Sequence, residues 1–386
     1  MRRTLLLVSS HIALVCLLTA CANSHSAATT QGVSSSQTAT VQPSNPALMQ
    51  PVSTNTTVLT QIPTLQAIRM VDANNGWSLT TNHAILKTSD GGNHWQDVTP
   101  KAQTSGLNVQ GEFLTAQTAW VAWQSAQGYE GQNQSITILH TSDGGTNWQV
   151  TTINNAAGSQ ADPPRFINTQ EGWIVTFQAE GMMHALINTY QTTDGGQTWT
   201  NISGPVQTTE VTNNTGISFS NAQLGWAGLE RPGPPMIEKT EDGGHSWQAQ
   251  SLPAPASEMA QTTAAVLIGA NGLLPIHIPD SGSPQSRLDI YTTHNAGATW
   301  TAGAVANFDS NDVYALDAQH VWAEETNSNA LHFSSDGGKT WVQLVQTPDH
   351  FDALSFVDTS NGWAIDDAGR LYRTTNGGTN WQLLST

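Results

Sequence analysis

The chain has 386 residues, of which 12 are basic and 29 acidic, for a formal charge of −17 with only 11% of residues charged. That balance repels nucleic acid and anionic lipid headgroups and leaves proteins, neutral glycans or cations as partners. Only two cysteines, Cys16 and Cys21, are present, too few for a disulfide scaffold.

At the N-terminus Arg2 and Arg3 precede an apolar stretch from Leu5 to Leu18 that ends in Leu18, Thr19, Ala20 and Cys21. This reads as a lipoprotein signal peptide over residues 1–20, interrupted by Ser9, Ser10 and His11 and too short to span a bilayer. Processing there acylates Cys21 and discards Cys16, so the mature chain has no disulfide and no thiol chemistry. It also lowers the basic count from 12 to 10 against 29 acids, a formal charge of −19. Residues 21–56 form an uncharged Ser/Thr/Ala/Gln-rich linker, expected to be a disordered tether reaching on the order of 30 Å. The expected location is extracytoplasmic, on the cell membrane, held by a lipid anchor with more than one acyl chain.

Residues 57–386 are repetitive. A DGGxxW-like turn ends at Trp95, Trp148, Trp199, Trp247, Trp300, Trp341 and Trp381, at intervals of 40 to 53 residues. A second motif, usually GW, precedes six of these turns at Trp77, Trp120, Trp173, Trp226, Trp322 and Trp363. The fifth repeat has Ala270, Asn271, Gly272 and Leu273 in its place. In the seventh repeat the pattern predicts four short strands, at 352–357, 362–366, 370–375 and 381–384, separated by tight turns. Four such strands in about 40 residues make one antiparallel blade, and no blade buries both faces alone. The expected fold is all-β, a seven-bladed β-propeller of four-stranded antiparallel blades preceded by the tether.

The turn residues Asp90, Asp143, Asp194, Asp242, Asn295, Asp336 and Asn376 define seven Asp-boxes. A side-chain oxygen there accepts backbone N–H bonds, and the glycines take positive φ. Asn at two of the seven keeps the acceptor without the charge, which points to a structural role and away from catalysis. Thirteen of the 14 tryptophans occupy the two repeat positions, where packing explains them. The exception is Trp123, three residues beyond Trp120 and hence on the opposite strand face.

Asp-boxes share one rim of such a ring, and the longer insertions, at 124–134, 178–183, 230–235 and 273–287, fall on the other. Variable loops on a rigid scaffold are where recognition resides. The candidate contacts are Trp123, Tyr129, Glu130, Met182, Met183, His184, Arg231, His277, Asp280 and Arg287.

The paired GW and T(S/T)DGGxxW motifs, running from about Leu65 to the C-terminus, resemble the photosystem II assembly and stability factor family. The resemblance implies seven blades and a non-enzymatic chaperone of a membrane protein subunit; cyanobacterial members are lumenal lipoproteins that bind the nascent reaction-centre subunit. The family presents an arginine patch to its partner, whereas Arg69, Arg165, Arg231, Arg287, Arg370 and Arg373 are scattered over five repeats here. Broader Asp-box relatives include sialidases and xyloglucanases, so a glycan-binding or glycoside-hydrolase propeller is the alternative. Sialidases, however, have six blades and an Arg-Ile-Pro motif that this chain lacks, and xyloglucanases pair two propellers across a cleft. The neighbouring acids Glu324 with Glu325, and Asp366 with Asp367, face opposite ways on a strand. No HExxH motif, phosphate loop or Cys/His cluster occurs, and Asp309 with Asp312 reads as a turn, so neither metal nor cofactor is expected. The function expected is binding or assembly of a membrane or cell-envelope protein, with glycan as the other ligand class.

Overall fold

The computed structural model describes residues 51–386 except 55, 102–106, 125–133, 157–159, 180–183, 204–205, 210–212, 232–235, 254–259, 280–285, 309, 311, 327 and 385–386. The described residues form seven antiparallel blades and no helix. From inner to outer strand, blade one is Leu65–Met70, Gly76–Thr80, Ile85–Thr88 and Gln96–Asp97, and blade two is Leu107–Phe113, Ala119–Gln124, Gln134–Thr141 and Asn147–Ala156. Blade six is Asp312–Ala315, Val321–Glu325, Ala330–Ser334 and Val342–Gln346; blade seven is Phe351–Phe356, Gly362–Asp366, Leu371–Thr374 and Gln382–Leu383. Blade four runs Asn213–Phe219, Gly225–Arg231, Met236–Thr240, Gln248–Ser251.

Blades three and five are less regular. The inner strand of blade three is split into Gln160–Ala161 and Arg165–Phe166, and that of blade five into Ala260–Thr262 and Val266–Ile268. Their second and third strands are Gly172–Ala179 with His184–Thr192, and Asn271–Pro279 with Ser286–Thr293. The outer strand of blade three is likewise split, into Thr200–Asn201 and Val206–Thr209, and that of blade five is reduced to a bridge between Thr292 and Thr301. Segment Ala260–Thr262 also pairs with the second strand of blade four, Arg231 with Ala260 and Glu230 with Gln261, so these two blades share one continuous sheet.

Every Asp-box repeats one bond set. Oδ1 of Asp90, Asp143, Asp194, Asp242, Asn295, Asp336 and Asn376 accepts the backbone N–H four residues on at 2.9 Å. The Thr or Ser two residues earlier donates to that oxygen and accepts the N–H of the second glycine, as Thr88 does for Asp90 and Gly92. The first box residue after the Asp donates its N–H to the turn joining the inner two strands of the same blade, Gly91 to Asn74 and Gly377 to Ser360 for example. Those inner turns form a second ring of side-chain-capped turns. Asp72, Thr115, Asn168, Asn221, Asp317 and Asp358 each accept the N–H groups two and three residues on. Blade five has no such residue.

Burial pushes the Asp-box carboxyls up, but the N–H and hydroxyl donors outweigh it, so Asp90, Asp143, Asp194, Asp242 and Asp336 all lie below the ordinary aspartate value of 3.8. A carboxyl held low in the folded chain contributes stability above its unfolded pKa and loses it as pH falls through the folded value. Asp336→Asn is therefore expected to cost under about 1 kcal/mol at pH 7, because Asn295 and Asn376 serve natively, and to weaken the loss of stability below pH 4. Asp336→Ala removes the acceptor of the exposed Thr340 N–H and of the Ser334 hydroxyl and costs about 1–2 kcal/mol, as loss of a capping side chain does. Urea unfolding at pH 7 and pH 3.5 measures both, and equal losses for Asn and Ala at pH 7 would contradict the hydrogen-bonding role.

Successive blades are joined by the second-strand tryptophans, which stack on the next blade's inner-strand phenylalanine. Centroid distances are 3.6 Å for Trp120–Phe166 and 3.9 Å for both Trp173–Phe219 and Trp322–Phe356. The indole N–H then reaches the first glycine carbonyl of the next Asp-box: Trp120 to Gly195, Trp173 to Gly243, Trp322 to Gly377. The same bond, Trp363 to Gly91 at 2.9 Å, closes the ring between blades seven and one. Met70 N–H to Ser355 Oγ and Leu65 N–H to Gly369 O add to this seam. All four strands of blade one and all four of blade seven are contiguous in sequence, so side chains and single bonds close the ring with no shared strand.

The structure moves two boundaries. Val52–Ser53 pairs with the outer strand of blade two and Thr57–Val58 with that of blade one, so part of the segment assigned to the tether is a strap covering two sheet edges. The insertion placed at 273–287 shrinks to 280–285, because Leu273 to Pro279 and Ser286 to Arg287 are paired strand residues.

Candidate binding surfaces

Trp123 is not a rim contact. It is 3% exposed and packs with Trp77, Val109 and Trp148 on the blade-one side, while Trp120 packs with Phe166 and Ile174 on the blade-three side. The odd spacing does put them on opposite faces, but a second strand is buried on both faces by its neighbouring blades. Tyr129, Glu130, Met182, Met183 and Asp280 lie outside the described residues.

His184, Arg231 and His277 sit in paired strands, opposite Thr209, Ala260 and Leu288 respectively, and His277 is buried. Arg287 is exposed on the third strand of blade five, opposite Ile278 and next but one to Asp289. Asp289 is 1% exposed, and burial pushes its carboxyl above the ordinary value despite the Gly303 and Ile290 backbone and the Arg287 charge. The structure thus brings no compact site together from the rim candidates it describes.

A different set recurs on the inner strands. In six blades the inner-strand residue paired with the repeat tryptophan is polar: Arg69, Glu112, Arg165, Ser218, Tyr314 and Ser355. Their common sequence mark is a position eight residues before that tryptophan. Arg69 Nη1 donates to the Tyr314 hydroxyl at 2.8 Å, tying blade one to blade six across the inner edge of blade seven, and Tyr314 donates to Phe356 O. Arg165 Nη1 donates to Glu112 Oε2 at 3.0 Å. Arg69 and Arg165, 96 positions apart in sequence, thus share one repeat position, and each bonds to the inner strand of another blade.

Beside Arg165 lies a groove of about 270 Å³ that also includes Ile217, Ser218, Phe219, Ala264 and Leu267. It arises because the inner strand of blade five breaks between 262 and 266 and carries small Ala264 and Ala265 there. Ser218 Oγ is buried against it without a hydrogen-bond partner among the described residues. The groove runs along the ends of the inner strands nearest the Asp-box turns, opposite to the rim on which the insertions lie.

Three other basic side chains have structural work. Lys87 and Arg373 lie over Trp77 and Trp363 at 5.3 and 5.2 Å, a favourable cation–π geometry. Arg370 is held by Asp366 and Asp349. On the insertion side of blades six and seven, buried Glu324 accepts Phe351 N–H at 2.7 Å and the Thr347 hydroxyl at 3.0 Å, with His350 Nδ1 at 3.2 Å. Glu325 instead turns outward to His332. Burial raises the Asp352 carboxyl, with His350 opposing and Asp367 and Asp366 adding to the rise. Among the described residues, no three His, Cys, Asp or Glu are placed to hold a metal ion.

Residues 50–163 match the model of the family described as photosynthesis system II assembly factor YCF48. No curated protein sequence matches the chain. Among solved structures, one of YCF48 bound to a D1 peptide superposes with a TM-score of 0.57 at 19% identity, covering 86% of this chain and 100% of the other. YCF48 from Cyanidioschyzon merolae gives 0.53 at 20% identity, over 85% and 99%. A GH74 enzyme from Niastella koreensis gives 0.58 at 16% identity, over 88% of this chain but 56% of that one. At these identities the superpositions establish the fold. The chain is a seven-bladed Asp-box propeller similar to the photosystem II assembly factors, and its match to that family's model spans residues 50–163.

Proposed function

We propose that the chain is a non-enzymatic, extracytoplasmic binding propeller, anchored through lipidated Cys21, that holds an extended segment of a membrane or cell-envelope protein. The observation carrying this reading is the channel wall. Arg69, the Arg165–Glu112 pair and the apolar groove beside Ser218 offer cationic groups, one carboxylate and a floor for apolar side chains, and no acid lines that groove among the described residues. A mixed wall of this kind suits a peptide, whose backbone and side chains need both polar and apolar partners. The YCF48 structure with a D1 peptide shows that a propeller of this shape takes a peptide ligand. The insertion at 124–134, whose Tyr129 and Glu130 lie outside the described residues, is proposed from its sequence to add contacts.

Crosslinking of the full chain in intact cells, followed by identification of the captured protein and titration with it, tests the reading. Arg165→Gln is expected to weaken that partner at least tenfold, and deletion of 124–134 to weaken it further. Absence of any protein partner, with retention on a polysaccharide array or release of sugar from it, would place the chain with the glycan-acting propellers instead. Cys21→Ser is expected to abolish palmitate incorporation and release the protein from the membrane fraction.

A further inference from the structure

Blade five breaks the repeat at several positions that lie together on the Asp-box side. Its inner two strands are joined by only Gly269 and Ala270, since Ile268 pairs with Asn271, whereas blade one spends residues 71–75 on the same link. It lacks the capping Asp, Asn or Thr that the other six blades have there. Ala296 replaces the first box glycine and holds φ at 53°, a region that favours glycine. Leu273 replaces the repeat tryptophan, and upstream Trp226 Nε1 has no hydrogen-bond partner among the described residues. Local rules broken together in one repeat, while the other repeats keep them, mark a functional or strained place.

The shortened link leaves a notch of about 290 Å³ against blade six, lined by Ile268, Asn271, His294, Asp317, Ala318 and Gln319. Ile268 is 52% exposed at its floor, one of few large apolar side chains so exposed among the described residues. His294 Nδ1 and Asn271 Oδ1 are 2.8 Å apart on one wall. On the other, Asp317 is tied to the Gln319 and His320 N–H groups and to His320 Nδ1, yet its side chain is 39% exposed. Burial raises that carboxyl, but these donors outweigh it and keep it below 3.8, so the notch carries a negative charge at neutral pH.

We propose that this notch is a docking point for a protein partner that inserts one apolar side chain flanked by Lys or Arg. The volume is at the lower end of small-molecule sites, which begin near about 300 Å³, and matches a single anchoring side chain. The charge of Asp317, on a chain of formal charge −17, selects a basic flank. This surface is separate from the channel groove and does not depend on it.

Binding of the full chain to arrayed peptides tests the proposal, using a central Leu or Phe flanked by Lys and Arg, the same residue flanked by Glu, and Ser flanked by Lys and Arg. Retention is expected for the first set alone. Ile268→Thr and Asp317→Asn should each weaken it at least tenfold, while Arg165→Gln leaves it unchanged. Asp317→Asn keeps the turn, since Asn168 and Asn221 cap the equivalent turns. Three outcomes would overturn the proposal: no retention, retention indifferent to flanking charge or to both notch substitutions, and loss on Arg165→Gln, which would assign the peptides to the channel. Concentration-dependent self-association abolished by Ile268→Thr would overturn it too, in favour of a second copy as occupant.

Discussion

Trp363→Ala is expected to open the ring at the junction of blades seven and one. The indole is fully buried among Leu65, Ile68, Met70, Leu86, Trp95, Ile365 and Leu371, carries Arg373 on its face, and donates to Gly91 O. Truncation removes that packing and leaves a cavity, a loss of about 3–5 kcal/mol. Trp173→Ala removes a comparable stack and bond between blades three and four, but there the chain itself still links the two blades. No peptide bond crosses the seven-to-one seam. The two substitutions should therefore lower the urea midpoint by similar amounts but differ in local opening. Hydrogen exchange at Leu65 and Met70, whose N–H groups cross the seam, should accelerate at least tenfold more in Trp363→Ala than in Trp173→Ala. Equal exchange in the two variants would show that closure does not depend on this tryptophan.

Glu324→Ala should destabilise by about 1–3 kcal/mol, because it strands the buried Phe351 N–H, while the Thr347 hydroxyl keeps Asn329 O and Asp349 O as acceptors. The Glu324 side chain is 0% exposed and anchors the link from blade six into blade seven. Glu324→Gln keeps an acceptor for one donor and is expected to cost roughly half as much. Glu325→Ala, one residue along the same strand, should change stability by less than about 0.5–1 kcal/mol, since its ion pair with His332 is partly exposed. Thermal and urea unfolding of the three variants measure the contrast. A loss at Glu325 as large as at Glu324 would refute the account.

The adjacent acids show how far linear reasoning reaches. Strand alternation separates Glu324 from Glu325, whereas Asp366 ends its strand and Asp367 lies in the turn after it, so the alternation expected for that pair does not apply; in each pair the first is buried and the second more exposed. It does not say that the buried member is a hydrogen-bond hub, because Phe351 and Thr347 are 23 or more residues away. Trp123 shows the opposite limit. Its exceptional position drew attention to it as a contact, yet any side chain on a second strand meets a neighbouring blade on either face. The inner ring of capped turns was available in the sequence as an Asp, Asn or Thr five residues before the repeat tryptophan, a mark obscured by the mixture of residue types.

The seven Asp-boxes, the blade count, the all-β architecture and the structural reading of the repeat tryptophans follow from sequence alone, because each rests on bonds within a turn or on a period that only a ring of blades can bury. The departure of the fifth repeat was also visible in the sequence, at Ala270 to Leu273, but tertiary structure alone decided which inner-strand residues meet and how the ring closes. Arg69 meets Tyr314 across 245 positions and Trp363 meets Gly91 across 272, while the groove follows from the break in the inner strand of blade five and the notch from that blade's shortened inner turn. Contacts between blades depend on which faces are brought together by closure, and that information is spread over the whole chain.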